Sequence, residues 1–320
     1  MRLFVIPFLI SVTLWGGSSP QAALGRYLFY DKRVSVNGQY SCASCHKQEL
    51  AFTDGRAQAL GATGQLHPRS AMSLVNLATA TAFNWADPTV HSLEEQALKP
   101  MFGKEPVEMG VDKARLLQLI RSDPNYKEWF PKAFPGPDPW TLSNVAKALA
   151  AFERTIVSNQ SPYDRYHRGG DATAISDAAK RGEMLFFLDG LSCFRCHAGP
   201  DFTGRPHDEY HNTALYSPYA APNLGLALFT KRAADTGKFK APTLRNIALT
   251  APYMHDGSVP TLSAVLDHYA AGGRAHGNAQ KDNLMTGFEL TPLNRADLIA
   301  FLESLTDESL IHNPALSNPW

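Results

Sequence analysis

The chain has 320 residues, of which 44% are hydrophobic and 19% charged, and its formal net charge at pH 7 is zero. This length is sufficient for two domains of ordinary size, and this composition is typical of a globular protein with buried cores. The lack of net positive charge argues against a polyanionic partner such as nucleic acid.

The N-terminus predicts export from the cytoplasm. A basic residue, Arg2, precedes an apolar run over residues 3–15, and small and polar residues follow up to Ala23. This pattern is typical of a secretory signal peptide, which we assign to residues 1–23. The alternative, a buried N-terminal helix, is disfavoured by Pro7. No other stretch approaches the ~18 apolar residues of a membrane span, so we expect a periplasmic protein with no integral membrane span.

All four cysteines lie in two Cys-x-x-Cys-His motifs. The first is formed by Cys42, Cys45 and His46, and the second by Cys193, Cys196 and His197. Zinc sites, redox dithiols and two disulfides are the alternatives, but a disulfide framework does not explain a histidine after each pair. Covalent haem attachment does, because the thiols form thioether bonds and the histidine ligates the iron. The sequence therefore predicts two covalently bound haem c groups, with one proximal histidine for each iron.

Helical spacing of apolar residues dominates the rest of the chain, and strand-like alternation is scarce. Helices are predicted over residues 111–120, 142–152, 175–187, 262–269 and 296–305. The proline-rich stretch 131–139 is predicted to be a surface turn. A polar stretch, 158–171, lies between the haem motifs and indicates a domain boundary. We expect an all-α protein with two cytochrome-c-like haem domains, at 24–165 and 166–320, and a C-terminal tail free to pack back on the first.

Several segments outside the haem motifs resemble the bacterial di-haem cytochrome c peroxidase and MauG family. These segments are 24–31, 92–97, 106–110, 242–246 and 250–257. Segments 42–56 and 67–76 are most similar to the MauG-like branch that includes MbnH. The resemblance covers nearly the whole chain after residue 23. It implies a peroxidatic N-terminal haem domain and an electron-transfer C-terminal haem domain.

For the first haem, the resemblance implies a catalytic role for three residues. Glu108 matches the family's distal glutamate, which moves a proton between the two oxygens of peroxide, and Gln96 matches its distal glutamine. Trp85 matches the tryptophan between the haems. The alternatives are a solvated carboxylate, a helix-surface amide and a core aromatic residue. Ala62 lies where other members carry a distal histidine ligand, and the nearby His67 is either a displaced ligand or a loop residue, so we expect an open iron position.

For the second haem, the resemblance implies a sixth iron ligand from the C-terminal part. Tyr269 lies where conventional peroxidases carry a methionine ligand, and MauG uses a tyrosine ligand at its second haem. Tyr269 is therefore the predicted ligand, with Met254 as the alternative. Family members also hold a calcium ion between the domains, and the matching positions are Asn76, Thr250 and Pro252, whose hard oxygen atoms suit Ca²⁺.

The function implied by this resemblance is that of a MauG/MbnH-like oxidoreductase. Such an enzyme uses hydrogen peroxide to oxidise an aromatic residue of a partner protein through a shared high-valent haem pair; for MbnH it is a tryptophan of the copper-binding protein MbnP. The alternative is a conventional di-haem peroxidase that reduces peroxide with electrons from a small redox protein. A non-enzymatic electron carrier is disfavoured by Glu108. MauG carries an exit tryptophan shortly before its second haem motif, whereas stretch 186–191 here has none, so the route to a substrate differs.

Overall fold

The computed structural model describes residues 19–320, and helices dominate this part of the chain. The helices are α1 (Pro20–Tyr30), α2 (Cys42–Cys45), α3 (Leu93–Phe102), α4 (Lys113–Ser122), α5 (Pro124–Ala133), α6 (Leu142–Glu153), α7 (Pro162–His167), α8 (Asp177–Phe186), α9 (Cys193–Cys196), α10 (Ala227–Thr230), α11 (Leu262–Ala270), α12 (Pro292–Ser304) and α13 (Glu308–Ile311). The regular strands among the described residues are two short segments, β1 (Tyr210–His211) and β2 (Phe239–Lys240), which pair antiparallel. The predicted all-α fold class is therefore confirmed.

The five predicted helices correspond to α4, α6, α8, α11 and α12. Threonine side chains cap three of them by accepting a backbone N–H of the first turn, at Thr141, Thr261 and Thr291. Such caps satisfy amide groups that have no partner inside the helix. The predicted turn at 131–139 is shorter than expected, because Pro131 lies in the last turn of α5. A proline there leaves the carbonyl of Lys127 without its helical partner, and the exposure of Lys127 lets water satisfy it.

The two halves of the chain repeat one packing arrangement. In the first half α1 packs on α6, and in the second half α8 packs on α12. A glycine lies at each contact, since a Cβ on Gly25 would overlap the carbonyl of Ala148 and a Cβ on Gly182 would overlap the carbonyl of Asp297. Only a residue without a side chain lets the two backbones approach this closely. In each half the haem motif lies between the paired helices in chain order, so the halves share one design.

Each pair of helices covers its own hydrophobic core. The first core includes the buried rings of Phe29, Phe52 and Phe152, and the second core includes those of Phe186, Phe202 and Phe301. Helix α7 packs with the second core through Tyr163. The boundary predicted between residues 165 and 166 lies within this helix, and the division into domains stays a prediction.

The C-terminal tail crosses back to the first domain. Leu310 and Leu316 are buried in the first core. The guanidinium of Arg26 on α1 donates to the carbonyls of Pro314 and Ser317. The first domain is therefore built from both ends of the described chain.

The N-terminal domain begins ahead of the expected boundary at residue 23. Ser19 caps α1 by accepting the N–H of Ala22, and both Ala22 and Ala23 are buried. The folded domain thus includes residues 19–23, while the apolar run of the predicted signal peptide lies outside the described residues. Within residues 19–320 no helix is long and apolar enough to cross a membrane.

Asparagine side chains join the two domains. The Asn76 amide donates to the carbonyl of Ser158 and to the carboxylate of Asp201, and its oxygen accepts the N–H of Ser158. In the second domain, Asn246 donates to the hydroxyl of Ser158 and accepts the N–H of Asp307. These bonds fix the position of one haem motif relative to the other.

Candidate haem sites

Each haem motif ends in a histidine whose ring is held by one nitrogen. His46 Nδ1 lies 2.9 Å from the carbonyl oxygen of Phe52, and His197 Nδ1 lies 3.1 Å from the carbonyl oxygens of Phe202 and Pro242. Donation from Nδ1 leaves Nε2 unprotonated, which is the form that ligates iron. Burial lowers the pKa of both histidines, to about 4 for His197. Both imidazoles are therefore neutral, as a proximal ligand requires.

The same turn follows both motifs and aims the accepting carbonyl. Phe52 and Phe202 have φ values of 62° and 48°, in the left-handed region that bulky residues rarely adopt. A short antiparallel bridge closes each turn. Both rings are almost completely buried, so core packing stabilises a backbone conformation that would otherwise be unfavourable. The position of each histidine thus depends on the core of its own domain.

Glu108 lies beside the first attachment site. Burial, followed by the charges of Asp54 and Glu108, raises the pKa of the Cys45 thiol to about 12. Burial also raises the pKa of Glu108 itself to about 7, although its side chain is 37% exposed. At neutral pH both protonation states of this carboxyl are populated, which suits a group that accepts a proton and then returns it. The structure therefore brings the predicted acid–base group to the first haem motif.

The loop that contains Ala62 packs against the backbone of the Glu108 segment. The N–H of Ala62 donates to the Glu108 carbonyl at 2.6 Å, and its own carbonyl accepts from Asn37. Gly61 lies so close to Val107 that a Cβ would overlap the Val107 carbonyl. The alanine side chain has no atom that could ligate iron, which agrees with an open position at the first haem.

The predicted distal glutamine lies on α3. The side-chain oxygen of Gln96 accepts a hydrogen bond from the Asn84 amide at 3.2 Å. The segment of Glu108 is held against the end of the same helix, since Met109 and Val111 donate their N–H groups to the carbonyls of Pro100 and Met101. The role of Gln96 in the reaction stays a prediction.

A largely apolar cavity adjoins the second haem motif. It is lined by Cys193, Cys196 and His197 together with Trp85, Met254 and Tyr269. Burial raises the pKa of Tyr269, and within residues 19–320 its hydroxyl makes no hydrogen bond. Both predicted candidates for the sixth ligand therefore reach the same cavity as His197, and the choice between them stays a prediction.

Two polar residues of this cavity were missed by the sequence analysis. Lys240 on β2 is 8% exposed, and burial lowers the pKa of its ammonium to about 8. His255 stacks on Phe239 with ring centroids 3.6 Å apart, and its Nε2 has no hydrogen-bond partner among the described residues. A buried cation and an unpartnered imidazole nitrogen suit a ligand that is apolar in its body and carries carboxylates, as haem does. The cavity therefore fits a haem group.

Trp85 joins the first domain to the second. Its indole N–H donates to the carbonyl of Ser70 at 2.9 Å, and its own carbonyl accepts the N–H of Lys240. The ring lines the cavity of the second haem motif. This position at the domain junction agrees with the predicted placement between the haems.

The three predicted calcium ligands lie in two different surroundings. Thr250 and Pro252 line the cavity of the second motif, while the Asn76 side-chain oxygen already accepts the N–H of Ser158 at 2.8 Å. Among residues 19–320 there is no cluster of three or more His, Cys, Asp or Glu side chains that could hold a metal ion. Calcium stays a prediction.

Two attachment motifs with oriented histidines and a carboxyl group beside the first define a di-haem c-type cytochrome equipped for acid–base chemistry. The chain belongs to the di-haem cytochrome c peroxidase and MauG family. The family described as di-haem cytochrome c peroxidase matches residues 19–172, and the RoxA-like, cytochrome c-like family matches residues 238–271.

Known proteins align with this chain over most of its length. The methylamine utilization protein MauG of Methylorubrum extorquens is 38% identical over 290 residues, which are 90% of this chain and 78% of that protein. The cytochrome c551 peroxidase of Nitrosomonas europaea is 33% identical over 91% of this chain and 81% of its own length. The crystal structure of a MauG-like protein associated with microbial copper homeostasis is 40% identical, with a TM-score of 0.90 and full coverage of both chains. The chain is therefore a peroxidase-type di-haem oxidoreductase that carries two haem c groups and uses hydrogen peroxide.

Proposed function

We propose that this enzyme is a MauG-like oxidase that uses hydrogen peroxide to oxidise an aromatic residue, a tryptophan in the first instance, of a partner protein. The observation that carries the proposal is Tyr269, whose hydroxyl makes no hydrogen bond within residues 19–320 and which lines the cavity next to His197. An anionic oxygen ligand lowers the potential of haem iron, so oxidising equivalents persist long enough to reach a remote residue.

The reaction consumes one peroxide, two protons and two electrons from the partner, and yields two water molecules. The haem groups supply the iron at which peroxide is reduced. A carboxylate oxygen of Glu108 takes the proton from the nearer peroxide oxygen and returns it to the leaving one. His46 and His197 would hold the two iron atoms through Nε2, and Trp85 would offer an aromatic ring between the two sites.

The partner we propose is a copper-handling protein in the periplasm. The MauG-like protein of known structure is associated with microbial copper homeostasis, and residues 1–23 have the pattern of a signal peptide. The lack of a tryptophan in stretch 186–191 means that electrons leave the partner by a route other than MauG's. The competing function is a conventional peroxidase fed by a small redox protein, which the similarity to a cytochrome c551 peroxidase supports.

The test is turnover of the purified di-haem protein with peroxide and either a candidate partner or a reduced small cytochrome. We expect a mass change on a partner tryptophan with the wild-type enzyme and none with Tyr269→Phe, while peroxide still reacts at the first site. Tyr253→Phe is the matched control, because Tyr253 lines the same cavity but bonds to the carbonyl of Ile247. If Tyr269→Phe modifies the partner at the wild-type rate, Tyr269 is a packing residue and Met254 becomes the ligand candidate. Oxidation of the cytochrome alone would establish the peroxidase function instead.

A further inference from the structure

The loop formed by residues 59–69 brings a histidine to the distal carboxyl group. Its two arms pair through Ala59, whose N–H donates to the Arg69 carbonyl and whose carbonyl accepts the N–H of His67. The loop tip is fixed to the Glu108 segment by the Ala62 bond and by the N–H of Val107, which donates to the Gln65 side chain at 2.7 Å. The position of His67 relative to Glu108 is therefore set by backbone contacts.

Hydrogen bonding determines which nitrogen of His67 faces the carboxyl group. His67 Nδ1 accepts the backbone N–H of Arg69 at 3.1 Å, so the proton of the neutral ring is on Nε2. His67 Nε2 lies 4.0 Å from Glu108 Oε1. This separation exceeds a direct hydrogen bond, but it is spanned by one water molecule or by a small rotation of either side chain. Burial and the charge of Arg69 lower the pKa of His67, which keeps it a neutral donor.

We propose that His67 is a positioning residue for Glu108: its Nε2–H engages one carboxylate oxygen, so that the other oxygen faces the peroxide. A hydrogen bond to a carboxylate favours the ionised form and restricts its rotation. The proposal rests on the acid–base role proposed for Glu108, and it does not depend on the identity of the partner protein.

The loop that carries His67 is also anchored in the second domain. The Arg69 guanidinium donates to the Asn223 side chain at 2.6 Å and to the Pro222 carbonyl at 2.7 Å, and it lies 4.9 Å above the Phe239 ring. These contacts at the domain junction thus hold the loop, and with it His67, in place. The titratable side chains that interact with the pair are Arg69, whose charge lowers the pKa of His67, and the Cys42 and Cys45 thiols, whose pKa the charge of Glu108 raises.

The test is the pH profile of the reaction with peroxide, followed by stopped-flow absorbance between pH 5.5 and 9. Loss of the donor in His67→Leu should shift the rise in rate upward by about one pH unit, so that the rate is about tenfold lower at pH 6 and near wild type at pH 9. His67→Gln keeps an N–H donor and should restore most of the rate at pH 6. His312→Leu, an exposed histidine after α13, is the matched control and should leave the profile unchanged.

Three results would overturn the proposal. An unchanged profile in His67→Leu removes any role for His67. An equal loss of rate at every pH in both His67 variants indicates a structural role only. A low-spin ferric signal of the first haem that becomes high-spin in His67→Gln shows that His67 is an iron ligand. Glu108→Gln is measured in parallel to separate failure of the His67 proposal from failure of the Glu108 role. Glu108→Gln will react as fast as the wild type only if the proposed role of Glu108 is wrong.

Discussion

Replacing Glu108 by glutamine removes the group that is expected to move a proton between the two peroxide oxygens. The amide has nearly the same shape but cannot act as a base, so the reaction with peroxide should slow by roughly two to four orders of magnitude. Burial raises the pKa of Glu108 to about 7, so roughly a tenth of these carboxyls are ionised at pH 6 and roughly nine-tenths at pH 8. The wild-type rate should therefore rise about tenfold between these pH values, whereas the rate of the variant should stay flat.

Stopped-flow absorbance with excess peroxide measures this rate, with haem content and the ferric spectrum as checks on folding. Glu105→Gln is a suitable control, because Glu105 is an exposed carboxyl of the same segment. A Glu108→Gln enzyme that reacts as fast as the wild type, or that keeps the tenfold rise, would refute the reasoning.

Three further predictions concern the irons and the stability of the fold. Electron paramagnetic resonance of the ferric protein should show one high-spin and one low-spin haem, and two low-spin signals would contradict an open first iron. Asp164→Ala leaves Arg245, which is 3% exposed and donates to that carboxylate at 2.6 Å, with only the more distant carboxylate of Asp201 at 3.9 Å as a charge partner, so urea unfolding should show a loss of about 3 kcal/mol. Asp177→Ala, at an 87% exposed carboxylate, should change stability far less. Burial raises the pKa of Glu153 from 4.5 to about 8; the folded state then keeps a proton that the unfolded state releases, and stability should fall as pH rises from 4.5 to 8, by at most about 5 kcal/mol. Glu153→Gln should abolish this part of the fall, and an unaltered pH dependence would mean that Glu153 is ionised in the folded state.

The sequence alone determined the chemistry of covalent haem attachment and the class of fold. Two Cys-x-x-Cys-His motifs allow few interpretations other than covalent haem attachment, because the thiols, the histidine and their spacing are all fixed by the haem they bind. The helices followed from apolar spacing, which reports directly on the face that a helix buries. Glu108, Trp85 and Tyr269 were identified only by resemblance to a family, since a single carboxylate or aromatic residue has no local pattern that marks its role.

The tertiary structure decided how distant segments meet. Lys240 has no sequence signal for a cofactor cavity, and His255 lies in a family-like segment that does not reveal its burial, because the burial of both residues depends on contacts made by other segments. The close packing at Gly25 and the return of the C-terminal tail to the first domain likewise depend on residues more than a hundred positions apart. The sequence leaves His67 as either an iron ligand or a loop residue, because its distance to Glu108 depends on how the backbone of its loop packs against the Glu108 segment. Such contacts are long-range, and a local pattern of residue types carries no information about them.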